Sequence, residues 1–323
     1  MEAAERTRDR LESENISQGV GRGVVTEALS GLLSSRKSLP PKLFYDETGC
    51  ALFGEITELP EYYLTRTEHA ILKALVPALG DLVPRRAALV EYGASSEAKA
   101  ELLFAPGDIA AYVPIDIAAE ALASLSVRLA DKYPALTVHP IIADFLGPIA
   151  LPREIAPMPR LGFFPGSTIG NLDPLAAIAF LARARAALGE DAIFLVGVDL
   201  EKPPDLLLAA YDDAAGVTAA FNRNILTRLN REAGADFELA GFAHRALWNS
   251  TEHRIEMHLE SLAHQVVHIA GRRISFRKGE TIHTENSYKF TERRLTALAM
   301  RAGWRVKRIW TDARKFFAIA ALR

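Results

Sequence analysis

The chain has 323 residues, 49% of them hydrophobic and 24% charged, enough for one large α/β unit or for two domains. Its 38 Lys and Arg stand against 40 Asp and Glu, a formal charge of −2, so no strong field gathers nucleic acid or anionic lipid and a small-molecule partner is expected. A single cysteine, Cys50, excludes an internal disulfide and a cysteine-based zinc cluster, and reads as a small buried hydrophobe in a reducing compartment. Met1 to Gln18 mixes both charge signs without an apolar core, and no later stretch stays apolar for the length of a membrane span. A cytoplasmic protein is expected, with residues 1–13 flexible.

Ala87–Tyr92 is an apolar strand that runs into Gly93, followed by a short helical stretch from Glu97 to Phe104 that stops near Pro106-Gly107. Ile109–Ile115 is a second strand, ending at Asp116. The next helix, Ala118–Lys132, places Leu122, Leu125 and Leu129 on one face. Leu136–Ala143 reads as a third strand ending at Asp144, Leu161–Phe164 as a fourth, and Ala192–Val198 as a fifth ending at Asp199. This alternation predicts a parallel sheet with helices on both faces and its strand-ending acids gathered along the carboxyl edge.

The pattern changes after Asp199. Asp205 to about Arg231 is helix-rich, and period-2 alternation follows: Ile255, Met257 and Leu259 interleave with Arg254, Glu256, His258 and Glu260. Gln265–Ala270 and Ile274–Arg277 around Gly271-Arg272 predict a hairpin, so an inserted module is expected. A helix over Thr291–Ala302 and strands over Arg305–Trp310 and Phe316–Leu322 would then complete a seven-stranded sheet with an antiparallel final hairpin.

The run Phe163-Phe164-Pro165-Gly166-Ser167-Thr168-Ile169-Gly170-Asn171 lies where a buried strand hands over to the helix at Asp173–Leu188, the place where open α/β sheets bind ligands. Its glycines permit close backbone approach, and Ser167, Thr168 and Asn171 supply short polar side chains. Glu91-Tyr92-Gly93-Ala94-Ser95-Ser96, with Asp116 beyond it, suggests a nucleoside cofactor whose ribose diol meets a carboxylate. The loop lacks the full G-x-G-x-x-G spacing, which disfavours a dinucleotide and any nicotinamide-dependent oxidoreductase. Asp144-Phe145 can supply an acceptor and an aromatic surface to adenine, or Asp144 can simply cap the next helix. For metals, His253 and His258 fall on opposite faces of a strand, and His264 and His268 sit in an alternating stretch. No metal is predicted.

Six segments in order resemble the L-histidine Nα-methyltransferases of ergothioneine biosynthesis, the dimethylhistidine N-methyltransferase family. They are Leu39-Pro40-Pro41-Lys42-Leu43-Phe44-Tyr45-Asp46-Glu47-Thr48-Gly49, Leu59-Pro60-Glu61-Tyr62-Tyr63, Phe164–Asn171, Ala210-Tyr211-Asp212-Asp213, Arg254-Ile255-Glu256-Met257-His258-Leu259 and Thr284-Glu285-Asn286-Ser287-Tyr288-Lys289. The resemblance spans nearly everything from Leu39 onward. It implies a class I S-adenosylmethionine-dependent methyltransferase fold, a Rossmann-like α/β core over 67–200 plus 289–323. A second, α+β, substrate-binding domain would comprise 14–66 plus 201–288.

The resemblance further implies S-adenosylmethionine at Gly93, Lys99, Asp116, Asp144 and Phe145. It puts Asn171 and Tyr211 on the amino and carboxylate groups of L-histidine, Tyr45 and Tyr62 over the reacting nitrogen, Met257 beside the imidazole, and Glu285 and Ser287 on the ring nitrogens. Residues 285 and 287 share one face of an extended segment, whereas Asn286 points away and offers mainly its backbone. Tyr45 takes the catalytic role of holding the dimethylated intermediate. Asp212-Asp213 reads as a helix cap. Ser95 stands where the family has a second glycine, and Ala100 where it has threonine. A left-handed backbone at Ser95 would cost about 1–2 kcal/mol, roughly tenfold in cofactor affinity. Two further readings follow: a methyltransferase for another amino acid, and a non-catalytic binder of histidine or cofactor. A monomer is expected.

Overall fold

The computed structural model describes residues 23–94, 96–104 and 108–323. Ser95 and Pro106-Gly107 lie outside the described residues. Contacts divide the chain into two compact units: one joins the segment ending at Glu58 to Leu208–Leu247 and Glu256–Glu285, and the other joins Leu59–Leu207, Trp248–Ile255 and Asn286–Arg323.

The larger unit is built on a sheet of β1 (Ala87–Tyr92), β2 (Ile109–Asp116), β3 (Thr137–Val138), β4 (Ile141–Ile142), β5 (Arg160–Phe164), β6 (Ile193–Asp199), β12 (Val306–Thr311) and β13 (Phe317–Leu322). Its order is β12-β13-β6-β5-β1-β2-β3, with β4 also on β2. β13 pairs antiparallel with both β6 and β12, whereas β6, β5, β1 and β2 are parallel. All six residues of β1 and all seven of β6 are buried, as expected for parallel strands covered on both faces. Tyr92, Phe164, Phe180 and Phe194 form an aromatic core, and the indole N–H of buried Trp304 donates to the Leu181 carbonyl at 2.8 Å.

Local chemistry sets the helices. In α6 (Pro174–Leu188) the Asp173 carboxylate accepts from the N–H groups of Leu175 and Ala176, Pro174 occupies the first turn, and Gly189 ends the helix at φ 95°. Leu122, Leu125 and Leu129 are the buried stripe of α5 (Ala119–Lys132), as the spacing predicts. Two expectations need correction. The third strand is broken into β3 and β4 because Pro140 brings no N–H to the ladder with β2, so among the described residues the sheet counts eight strands rather than seven. The helical stretch after Gly93 shrinks to α4 (Glu101–Phe104), since Leu102 and Leu103 bond back only three residues, to Lys99 and Ala100.

The smaller unit contains a helix over 23–32, a 3₁₀ turn at Pro41–Phe44, α2 (Glu47–Glu58) and α8 (Val217–Glu232). It also holds the hairpin of β9 (Gln265–Ile269) and β10 (Arg272–Phe276). That hairpin turns through Ala270 and Gly271, both at positive φ, as a two-residue turn demands. Asp213 accepts from the N–H groups of Val217 and Thr218 at the start of α8, so the predicted cap is present. The rings of Phe44 and Phe221 stack at 4.6 Å. Cys50 is half-buried rather than buried, one turn into α2, where Gly49 and Ile56 take the inward positions. The chain passes between the units within β7 (Phe242–Asn249), β8 (Arg254–Ser261) and β11 (Thr281–Tyr288), which form a sheet ordered β11-β8-β7.

Candidate active site

In the larger unit the sheet order reverses between β1 and β5, and the loops leaving their carboxyl ends are those singled out in the sequence. Beyond β5, Gly166 and Ser167 both take left-handed backbone, at φ 75° and 59°. The Gly166 N–H donates to both oxygens of Glu68 at 2.9 Å, and Lys99 Nζ donates to Glu68 Oε2 at 2.5 Å. Glu68 fits there because Gly197 lies beneath it: a Cβ at 197 would stand 2.2 Å from Glu68 Oε1. One buried carboxylate therefore fixes the loop after β5 and the predicted cofactor lysine together.

The turn Thr168–Asn171 is seated just as closely. A Cβ on Gly170 would lie 2.9 Å from the backbone oxygen of Tyr288, so only glycine lets the two main chains meet. The turn ending in Asn171 is thereby laid against the strand end that carries Asn286 and Ser287. Tyr62, buried, precedes α3 (Tyr63–Leu82), and its carbonyl accepts from Arg66.

At the end of β6, Asp199 is the hub of a buried ionic cluster. Its Oδ1 accepts from Lys202 Nζ at 2.6 Å, its Oδ2 from Lys289 Nζ at 2.8 Å, and the Tyr63 hydroxyl donates to the carboxylate at 2.8 Å. Its backbone N–H donates to Ser167 Oγ at 2.9 Å. Lys289 Nζ also donates to Ser287 Oγ at 2.8 Å. Burial pulls the Lys202 ammonium down to about 8, against the opposing pull of Asp199.

The cofactor candidates occupy the other side of the same edge. Gly93 has φ 78°, and a Cβ there would meet the Phe145 ring at 3.7 Å. That ring packs edge-on against Phe164 and Phe180. Asp116 ends β2 with Oδ1 accepting from the Ala118 N–H at 2.9 Å, and burial raises its carboxyl. Asp144 accepts from the Leu146 N–H at 2.9 Å, closing a turn where a helix cap was the alternative expected. Glu91, which the sequence reading leaves unassigned, is wholly buried beneath this edge. Burial raises its carboxyl to about 8, against the hydrogen bond donated by the Tyr112 hydroxyl at 2.6 Å.

In the smaller unit a second buried network carries the remaining candidates. His244 Nε2 donates to the Tyr211 carbonyl at 2.8 Å, while Nδ1 accepts from Asn222 Nδ2 at 2.8 Å. Asn222 also donates to the His258 carbonyl and accepts from Thr284 Oγ1, which reaches the Met257 carbonyl. Burial lowers the His244 ring below the usual histidine range, consistent with a neutral imidazole between one donor and one acceptor. Met257 is buried.

In β11 burial alternates through Ile282 and Thr284, then slips by one residue, so that Glu285 and Ser287 are buried and Asn286 is half-exposed. Tyr45 is half-buried, edge-on to Phe53 and Phe221 at 5.9 and 6.0 Å. Beside it, Asp46 is held below the usual carboxylate range: burial raises it, but Arg231, Gly49 and Asn224 outweigh that by donating to it.

Among the described residues, Glu256, His258 and His283 bring ligand-type atoms within 4.8 Å of one another. A strand-by-strand reading misses this grouping because His283 belongs to β11 and the other two to β8. Of the histidines weighed from the sequence, His253 pairs with Glu201 and His268 with Asp236.

The family model described as "Histidine-specific methyltransferase, SAM-dependent" matches residues 24–323. The chain belongs to this family. It is 39% identical over 305 residues to the histidine N-alpha-methyltransferase of Mycolicibacterium smegmatis, covering 90% of this chain and 92% of that protein. It is 37% identical to the histidine N-alpha-methyltransferase of Mycobacterium tuberculosis, covering 91% and 92%. Among solved structures, an S-adenosylmethionine-dependent methyltransferase from Clostridium acetobutylicum aligns with 84% of this chain and 97% of its own at 9% identity and a TM-score of 0.49. Membership makes this chain an S-adenosylmethionine-dependent N-methyltransferase with a class I α/β core.

Sequence reasoning missed Glu68, Glu91, Lys289, Asn222 and His244. Asp199 and Ser167 stood in the pattern as a strand-ending acid and a loop hydroxyl, without their partners.

Proposed function

We propose that the protein transfers three methyl groups in succession to the α-amino group of L-histidine, giving the betaine hercynine, the first step of ergothioneine biosynthesis. The observation that carries this reading is the meeting of the Gly170 and Tyr288 main chains, which sets Asn171 beside the strand end of Ser287. S-adenosylmethionine, when bound, supplies the electrophilic methyl. Gly93, Lys99, Asp116, Asp144 and Phe145 would hold it: the left-handed Gly93 backbone with the Phe145 ring against it leaves a bare strand end for a nucleoside, and Asp116 offers a carboxylate to the ribose.

In this reading the core spans 67–200 with 289–323, and the substrate-binding part spans 14–66 with 201–288. Asn171 and Tyr211 hold the amino and carboxylate groups, Tyr62 closes over the nitrogen, and Met257 borders the ring. Glu285 accepts from one ring nitrogen and Ser287 meets the other, with the Asn286 backbone nearby. Only the neutral α-amino group has a lone pair to attack, and burial in a water-poor pocket disfavours the ammonium form, so no dedicated strong base is invoked. Alignment inside a water-poor pocket supplies most of the catalysis. As methyls accumulate the amine loses its own donors, and the Tyr45 hydroxyl keeps the dimethylated intermediate oriented. The reaction calls for no metal, no nucleic acid and no membrane, and suits a cytoplasmic monomer.

The test is incubation with S-adenosylmethionine and each common amino acid, reading mass gains of one, two and three methyl groups. Triple gain on histidine alone is expected. Triple gain on another amino acid reassigns the substrate, and calorimetric binding without any mass gain leaves a binding protein.

A further inference from the structure

We propose that Asn222 and His244 are positioning residues for the amino-acid pocket, tying the main chain of Tyr211, at the substrate's amino and carboxylate end, to the main chain of Met257 and His258 at its ring end. This deepens the histidine reading of the site and rests on it.

Valence fixes every donor in the connection. The His258 carbonyl can only accept, so the Asn222 atom 3.0 Å from it is the amide nitrogen, and the same nitrogen lies 2.8 Å from His244 Nδ1. Its two hydrogens serve those two acceptors. His244 Nδ1 therefore carries a lone pair, and the ring proton sits on Nε2, 2.8 Å from the Tyr211 carbonyl. That carbonyl needs an outside donor, because Tyr211 ends the helix Pro204–Tyr211 and the last carbonyls of a helix have no partner within it. On the other side, Asn222 Oδ1 accepts from Thr284 Oγ1 at 2.8 Å, and the same hydroxyl lies 3.0 Å from the Met257 carbonyl. Flipping the Asn222 amide would set oxygen against the His258 carbonyl, and a second proton on His244 would set N–H against N–H.

Burial makes the connection hard to replace. Asn222 is 0% exposed and the His244 side chain 2%, so water has little access to a group that loses its partner. Burial is also the largest influence on the His244 ring and lowers it below the usual histidine range. The Tyr211 carbonyl, Asp212, 3.9 Å from Nε2, and Asp213 pull the other way, and Arg223 sides with burial. A neutral ring is the form that both of its hydrogen-bond partners require.

The experiment uses the full-length protein and two variants that each keep half of the imidazole. Glutamine at 244 can place its amide nitrogen near the position of Nε2, and asparagine its amide oxygen near that of Nδ1. His244→Gln keeps the donor to Tyr211 and should leave the KM for L-histidine within about threefold of the parent. His244→Asn keeps the acceptor for Asn222 but leaves the Tyr211 carbonyl unpaired, and should raise that KM about tenfold. In both, the KM for S-adenosylmethionine should change less than about twofold. A purely structural role would separate the two by stability and leave their KM for L-histidine alike. Should neither variant accumulate, nitrogen-15 NMR of the unaltered protein decides: His244 should carry one proton, on Nε2, and that N–H resonance should move when L-histidine is added. Equal KM for the two variants, a ring protonated on Nδ1, or an Nε2–H resonance that L-histidine leaves in place overturns the inference. Absence of any L-histidine binding to the unaltered protein overturns the histidine reading itself, and this inference with it.

Discussion

Glu91 and Asp199 are two buried carboxylates at the carboxyl ends of parallel strands in one sheet, 1% and 0% exposed, yet they are held in opposite ways. Glu91, on the cofactor side, meets a neutral tyrosine hydroxyl and is raised to about 8, so it is mostly protonated at neutral pH. Asp199, on the side of Asn171 and Ser287, meets two ammonium groups and a tyrosine hydroxyl. Depth in the sheet does not decide the charge of a buried acid. The partner does, because only a counter-charge or several donors offsets the loss of water.

Asp199→Ala leaves Lys202 and Lys289 buried without their carboxylate and should cost about 3–5 kcal/mol in chemical denaturation. A loss no larger than that of a surface substitution would show that the cluster contributes little. Next in size, Gly170→Ala pushes a methyl against the Tyr288 main chain and should cost about 1–3 kcal/mol, with kcat/KM falling further than stability explains.

Glu91→Gln sharpens the other half of the contrast. A carboxyl raised to about 8 binds more protons folded than unfolded, so stability declines as pH climbs from the unfolded pKa toward about 8 and then levels off. Glutamine removes that decline. The variant should match the parent at acid pH and exceed it in Tm on the order of 5 °C once both titrations are complete. Equal Tm profiles would mean that Glu91 is ionised in the fold. Smallest is Tyr45→Phe, which should slow the last methylation more than the first by up to roughly tenfold, read as single-turnover product ratios. Equal slowing at every step would remove the hydroxyl's role.

Much of the core was legible in the sequence because its cues are local. The period of the apolar residues, the Asp173-Pro174 start of α6 and the Thr291 start of α9 (Glu292–Arg301) each depend on a few neighbouring residues, and each appears where expected. The broken third strand was legible in principle, since Pro140 sits in it, but strong apolar flanks hid the missing N–H. The slip of burial at Thr284-Glu285 was less accessible. Strict alternation puts Glu285 on the face of His283 and away from Thr284, whereas the strand buries Thr284 and Glu285 in succession.

The site shows the same division. Its segments announced themselves by glycines, short polar side chains and strand-ending acids, all set by what a backbone can do at a turn. The residues that hold those segments did not. Glu68 looks like any acid on a helix until Gly197 makes room for it and Gly166 and Lys99 converge on it. Asn222 and His244 read as ordinary polar positions until burial leaves them each other, Tyr211 and Thr284 as partners.

From the sequence alone came the strand and helix alternation, the loops at the carboxyl edge and the family, because propensity, periodicity and motif are properties of short stretches of chain. Tertiary structure alone decided which partners the buried acids meet, a tyrosine hydroxyl for Glu91 and two lysine ammonium groups with a tyrosine hydroxyl for Asp199. The Tyr112, Tyr63 and Lys289 partners lie 21 to 136 residues away along the chain, and no local pattern records them.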